Sequence, residues 1–157
     1  MIIDRLDTIT RIPEDYRKAK PPAPASVKIE LTAHCDFQCF FCATGSKLRE
    51  KGEIDWDFYC RIVQEMHDAG VKELGVFYLG ESFLSKRLAD AIHYAKKEVG
   101  FDYVFLTTNG RMANAERLRA VMEAGLDSLK FSFNYADAEQ CEDMTRVNAS
   151  DTVVGHI

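Results

Sequence analysis

The sequence predicts an α/β fold built on a parallel sheet, and three observations support this. Four apolar stretches, each turning small or polar at its C-terminal end, recur along the chain, beginning at Val27, Val71, Tyr103 and Ser128. Between them lie stretches whose apolar residues repeat with helical spacing. Glycines (Gly70, Gly100 and Gly125) close the first three of those stretches. Strand, helix and glycine in repeating order mark βα units, and right-handed crossovers place the helices outside the sheet. Periodicity leaves open whether that sheet is flat or curls into a barrel.

In chain order, residues 1–20 read as a short helical extension, and "PPAPA" (21–25) stops it, because proline lacks the N–H and restricts the residue before it. Arg17-Lys18-Ala19-Lys20 reads as a solvated helix end rather than a basic patch. "VKIEL" (27–31) alternates apolar and charged residues and is the first strand. "KLREKGE" (47–53) is a polar loop. Asp55 caps a helix running to about Ala69, with Phe58, Ile62 and Met66 stacked on one face. "VKELGVFYLG" (71–80) is the second strand. Ser85 is placed to cap the next helix, whose stripe is Leu88, Ala91, Ile92, Ala95 and Val99. "YVFLTTNG" (103–110) is the third strand. Asn114 then caps a helix with Leu118, Val121 and Met122 inward. "SLKFSFN" (128–134) is the fourth strand, and "DAEQCEDMTR" (137–146) begins a short helix. Alternation in the fourth strand puts Lys130, Ser132 and Asn134 on one face and Leu129, Phe131 and Phe133 on the other. The aromatic face should lie under helices and the polar face should line an interior, with Lys130 partnered there. Glu30 and Thr32 on the first strand should face the same way.

A chain of 157 residues fits one domain with a real core. Its net charge of −5 argues against a nucleic-acid partner. "MIIDRLDTIT" carries acids and no apolar core, so it is not a secretory signal, and no apolar run reaches bilayer length. A cytoplasmic setting follows, with thiols kept reduced. The five cysteines are odd in number, and Cys35, Cys39 and Cys42 are clustered. That pattern points to metal or redox chemistry rather than a disulfide framework.

Thiolates are soft ligands that select zinc, copper or iron–sulfur clusters. Zinc sites commonly use paired C-x2-C motifs, whereas this chain has one C-x3-C-x2-C triplet. His34 adjoins it, while Cys60 and Cys141 sit in helical patterns and read as small buried hydrophobes. Three ligands on one loop suit a cubane whose fourth iron stays open. The polar strand exits (Thr32, Gly80-Glu81, Thr107 to Gly110, Ser132, Asn134) lie at the edge where parallel α/β folds place their sites.

"CDFQCFFC" resembles the cluster motif of the radical S-adenosylmethionine (SAM) superfamily, C-x3-C-x-Φ-C with Phe41 as the aromatic, just after the first strand. The likeness extends from about Val27 to Val153 and is greatest to members with a SPASM or twitch-type extension. It implies a partial parallel (β/α) barrel, with about four of six βα units present. It implies an N-terminal extension and linker over 1–26 and an incomplete core over 27–157. It implies a [4Fe–4S] cluster on Cys35, Cys39 and Cys42, with the amino and carboxylate groups of SAM on the fourth iron. Reduction would then yield methionine and a 5′-deoxyadenosyl radical that abstracts hydrogen from a substrate, peptide or small molecule. An electron donor such as flavodoxin or ferredoxin would serve it, and no membrane is involved. The family's Gly-Gly-Glu segment, which meets the SAM amino group, reads Leu79-Gly80-Glu81 here, with leucine for the first glycine. Ser132 and Asn134 match positions that touch the ribose or carboxylate, and Asn109 is a further cofactor candidate. No catalytic acid or base is identified. The chain stops at Ile157, around the start of a fifth unit, so the expectation is a radical SAM enzyme or its N-terminal part, as a truncated product, a fragment of a longer chain or the ordered part of one, with an unpaired edge on strand four. The competing expectation is a non-catalytic module, in which the three thiolates and one donor (His34, Cys60 or Cys141) hold zinc or a cluster.

Overall fold

The computed structural model describes residues 12–46 and 50–157. Among them, four strands form one sheet in the order β1 (Ser26–Lys28), β2 (Glu73–Gly75), β3 (Tyr103–Thr108) and β4 (Ser128–Phe131), with every neighbouring pair parallel. Strand order follows chain order without reversal. In a doubly wound sheet the order reverses and helices cover both faces. With right-handed crossovers, the unreversed order puts every connection on the same face, which is how a barrel begins. The order therefore answers the question periodicity left open.

Register aligns the apolar residues. Val27 lies opposite Leu74, Leu74 opposite Val104, and Leu106 opposite Leu129. Ile29, Leu31, Leu74, Val76, Val104 and Leu106 are all buried on the helix side. They pack against Tyr59, Val63, Ala91, Ile92, Ala95 and Val121 in one continuous core. Fully burying each such Val, Leu or Ile side chain stabilises by roughly 1.5–3 kcal/mol, so this layer holds the sheet and helices together. The alternate residues, including Glu30, Thr107 and Ser132, point to the other face.

α1 (Trp56–Asp68) begins where Asp55 accepts a 2.8 Å hydrogen bond from the Phe58 N–H, as the sequence predicts. The Tyr59 hydroxyl, wholly buried, donates to the Ala91 carbonyl at 2.9 Å and ties this helix to the next. The second crossover differs from expectation. Ser82–Leu84 form a 3₁₀ turn, α2 spans only Leu88–His93, and a π-helical turn, Tyr94–Val99, carries it to Gly100 at φ 94°. Ser85 does not cap the helix; its hydroxyl accepts from the Arg87 N–H within the preceding turn. α3 (Ala115–Ala124) has the predicted Asn114 cap on the Arg117 N–H. Its buried face is Val121 and Ala124, with Leu118 half-buried, and Met122 is 68% exposed because it projects one step round the helix from that stripe.

α4 (Ala138–Thr145) is capped by Asp137. It is followed by α5 (Ser150–His156), which the sequence reading did not anticipate. Of the helix expected over 1–20, residues 1–11 lie outside the described residues. The rest forms only a 3₁₀ turn, Glu14–Arg17, between Pro13 and the later prolines. Lys130 and Phe133 are exposed, so Lys130 meets water instead of a buried partner and Phe133 is not covered by a helix. No helix among the described residues is long and apolar enough to cross a membrane.

Candidate functional site

The strands' C-terminal exits and the segment after β1 enclose a cavity of about 200 Å³. Every site residue anticipated from the sequence lines it: Cys35, Cys39 and Cys42, then Phe41, then Gly80, Glu81, Asn109, Ser132 and Asn134. The sequence spacing alone brings the cysteines together. The rest converge because four parallel strands end at one edge.

The three thiols are half-buried. Burial pushes the Cys35 thiol up to about 11; a hydrogen bond from the Phe37 N–H opposes this, and the nearby Asp36, Glu81 and Cys39 charges add to it. Burial, then the neighbouring Cys42, raises the Cys39 thiol. A thiolate here therefore needs a positive partner, and a coordinated metal deprotonates a thiol outright. Beside them Asp36 Oδ2 is buried with no hydrogen-bond partner. Its other oxygen accepts from the Asn109 amide at 2.7 Å, while Arg111 lies 3.6 Å from Oδ2. Asn109 Nδ2 also stands 3.9 Å from Cys35 Sγ. Cys42 Sγ lies 3.1 Å from the Thr44 hydroxyl, which donates to the Leu79 carbonyl and so stitches the cysteine loop to the exit of β2.

The donor set suits an iron–sulfur cube. A single zinc ion draws its thiolates to about 2.3 Å around one point. Among the described residues no group of three His, Cys, Asp or Glu side chains is arranged to hold one ion. A cube offers a separate iron to each of three thiols, so it needs only that they face a common space, as they do. Of the three residues weighed as a fourth donor, none lines the cavity: His34 is exposed, Cys60 is on α1, and Cys141 is fully buried within α4.

The opposite wall is braced by Glu81, only 3% exposed. One carboxylate oxygen accepts from the Thr108 hydroxyl at 2.8 Å and the Phe83 N–H at 3.0 Å, and the other from the Asn109 N–H at 2.7 Å. Burial raises its carboxyl, while those three hydrogen bonds pull it down. Gly80 fits because the chains pass closely: a Cβ there would lie 1.9 Å from the Thr32 carbonyl oxygen. The close approach is to the exit of β1. Glu30 supports the same turn by accepting from the Leu79 and Gly80 N–H groups at 2.9 and 2.7 Å. Ser132 continues the wall, its N–H donating to the Thr108 carbonyl at 2.7 Å. Thr107, one of the polar strand exits read from the sequence, also lines the cavity. Sequence reasoning missed Asp36, Thr44, Tyr78 and Thr145, which become site residues through contacts distant in sequence.

Residues 29–155 match the Radical SAM superfamily. Among curated proteins, the chain is 28% identical over 120 residues to GTP 3′,8-cyclase of Chlorobaculum tepidum, covering 76% of this chain and 36% of that protein. It is 34% identical over 116 residues to PqqA peptide cyclase of Rhodopseudomonas palustris, covering 73% of this chain and 30% of that protein. The chain thus spans about a third of the length of these relatives. Among solved structures, SuiB of Streptococcus suis bound to S-adenosylmethionine superposes with a TM-score of 0.71 at 18% identity, over 86% of this chain and 31% of that one. BtrN in complex with AdoMet and 2-DOIA gives 0.66 at 17% identity, over 83% and 54%. At such identities the superpositions establish a shared fold.

Proposed function

This chain belongs to the radical SAM superfamily, and from that premise we propose that it supplies the cluster loop and part of the SAM-binding wall of a radical enzyme. The family is enzymatic, and its cofactors are a [4Fe–4S] cluster and SAM. When bound, they supply a 5′-deoxyadenosyl radical that removes a hydrogen atom from substrate. The observation that carries the reading is the convergence of Cys35, Cys39 and Cys42 with four strand exits around one cavity.

In this reading the three thiolates each take one iron. The loop keeps them half-buried, away from bulk water. Phe41 packs beside the nucleotide. Gly80 and Glu81 frame its ammonium end; among the described residues Glu81 Oε2 accepts one hydrogen bond, from the Asn109 N–H, and has a lone pair to offer. Asn109, Ser132 and Asn134 supply polar contacts along the opposite wall. Residues 27–157 form this part of the core, and 1–26 lead into it. The substrate is a peptide or small organic molecule, the electron comes from a flavodoxin- or ferredoxin-like donor, and the setting is the cytoplasm. The test is spectroscopic. Reconstituted without oxygen and reduced, the intact protein should show the paramagnetic resonance of a [4Fe–4S]+ cluster, and SAM should shift it. A reduced cluster insensitive to saturating SAM would refute the SAM site, and one zinc per chain without a cluster would refute the reading as a whole.

A further inference from the structure

The cysteine loop is held from below by a part of the molecule that the cluster motif does not include. We infer that the C-terminal end of α4 is a dock that sets the position of the loop around Cys39, with Thr145 as its positioning residue. This rests on the cluster reading above.

Four observations support it. The Gln38 N–H donates to the Thr145 carbonyl at 2.9 Å, and the Phe40 N–H donates to the Met144 carbonyl at 3.2 Å. These residues flank Cys39 on either side, and the accepting carbonyls belong to the last turn of α4, where a helix leaves them without internal partners. Next, Arg146 ends the helix at φ 61°, the one positive φ outside glycine among the described residues. A side chain rarely adopts that conformation, so neighbouring contacts must enforce it. Third, Thr145 supplies them. It is 4% exposed, and its hydroxyl lies 2.7 Å from the Cys141 carbonyl and 3.0 Å from the Val147 carbonyl. It also accepts from the Val147 N–H at 3.3 Å, closing the turn on both sides of Arg146. Finally, Phe37, Ala149 and Val153 form a second small core, with Cys35, Cys39 and Val147 packed against it. The ring Nδ1 of His156 lies 2.9 Å from the Gly110 carbonyl, which can only accept, so α5 is fastened to the turn that carries Asn109.

These contacts adjoin the small core through Cys39 and Val147, and none of their residues belongs to the large one under the sheet. Disturbing them should therefore move the loop while leaving the sheet intact. Amide hydrogen exchange on the intact apoprotein reads this without any cofactor. Thr145→Val keeps the shape and removes the hydroxyl. It should speed exchange at Gln38 and Phe40 about tenfold, with Val104 and Leu106 on β3 within about twofold of wild type. Arg146→Val, which disfavours the left-handed turn but keeps Thr145, should act the same way. Thr145→Ser should restore wild-type protection. After reconstitution, Thr145→Val should also lose iron to a chelator about tenfold faster than the serine variant, since loop opening exposes the thiols. Unchanged exchange at Gln38 and Phe40 in both valine variants would overturn the dock. So would loss of protection at Val104 and Leu106, because Thr145 would then belong to the main core. Wild type that protects Gln38 and Phe40 but takes up no cluster would overturn the cluster reading and leave the dock standing.

Discussion

Two walls face each other across the cavity, and they are held differently. The wall made by the exits of β2 and β3 is polar and braced by side chains: Glu81, nearly inaccessible, receives three hydrogen bonds from two neighbouring segments. The cysteine loop is held by backbone contacts to α4, one small apolar cluster, the Thr44 stitch and the Asp36–Asn109 hydrogen bond. The first wall is continuous with the main core through Phe83 and Leu106. The second can yield without the sheet unfolding. A rigid wall keeps donors and acceptors where a ligand must meet them, while a loop that loads a cluster must open to take it in.

This contrast makes the largest stability effect fall on the rigid wall. Glu81→Ala leaves the Thr108 hydroxyl and the Phe83 and Asn109 N–H groups buried without an acceptor. At about 1–3 kcal/mol for each stranded group, partly relieved by relaxation, the loss should be about 4 kcal/mol by urea unfolding. A loss under about 1 kcal/mol would mean the carboxylate does not brace the wall. Gly80→Ala comes next. Its Cβ would lie 1.9 Å from backbone oxygen, which cannot swing aside, so overpacking should cost about 3 kcal/mol. A neutral result would show that the exits of β1 and β2 are farther apart.

Asp127 gives a smaller effect and a pH signature. Burial raises its carboxyl, but the Val104 N–H at 2.7 Å and Lys96 at 2.9 Å outweigh this and hold it below the usual range. A depressed folded value means the stabilisation is present above the unfolded value of 3.8 and lost as pH falls through the folded one. Asp127→Asn should cost about 1 kcal/mol at pH 7 and flatten the stability profile below pH 4. An acid limb of unchanged slope would assign that pH dependence to other carboxylates.

Legibility in the sequence followed the range of the interactions. Helix starts at Asp55, Asn114 and Asp137 were readable because a cap acts over three residues. The parallel sheet was readable from repetition, but its curl was not, because strand order depends on pairing between residues far apart in sequence. The π-helical turn at Tyr94–Val99 leaves the apolar stripe nearly intact and so escapes a periodicity argument. α5 was missed because seven residues that include Gly155 make too short a pattern. At the site, the cysteines and strand exits announced themselves through residue type. The closeness of Gly80 to Thr32, the Thr108 and Asn109 donors on Glu81 and the seat of Gln38 on Thr145 are contacts across 27 residues or more, which no local spacing encodes.

The smallest stability effect belongs to the loop. Cys39→Ala removes a half-buried thiol from the small core and should change the apoprotein's unfolding free energy by no more than about 1 kcal/mol. Its consequence should instead be seen in iron and acid-labile sulfide, counted after oxygen-free reconstitution of wild type and this variant side by side. The wild-type protein should carry about four of each per chain, and the folded variant should hold no stable cluster. Equal iron in both proteins, or a single zinc in the wild type, would contradict the assignment of Cys35, Cys39 and Cys42 as the three corners of one cube.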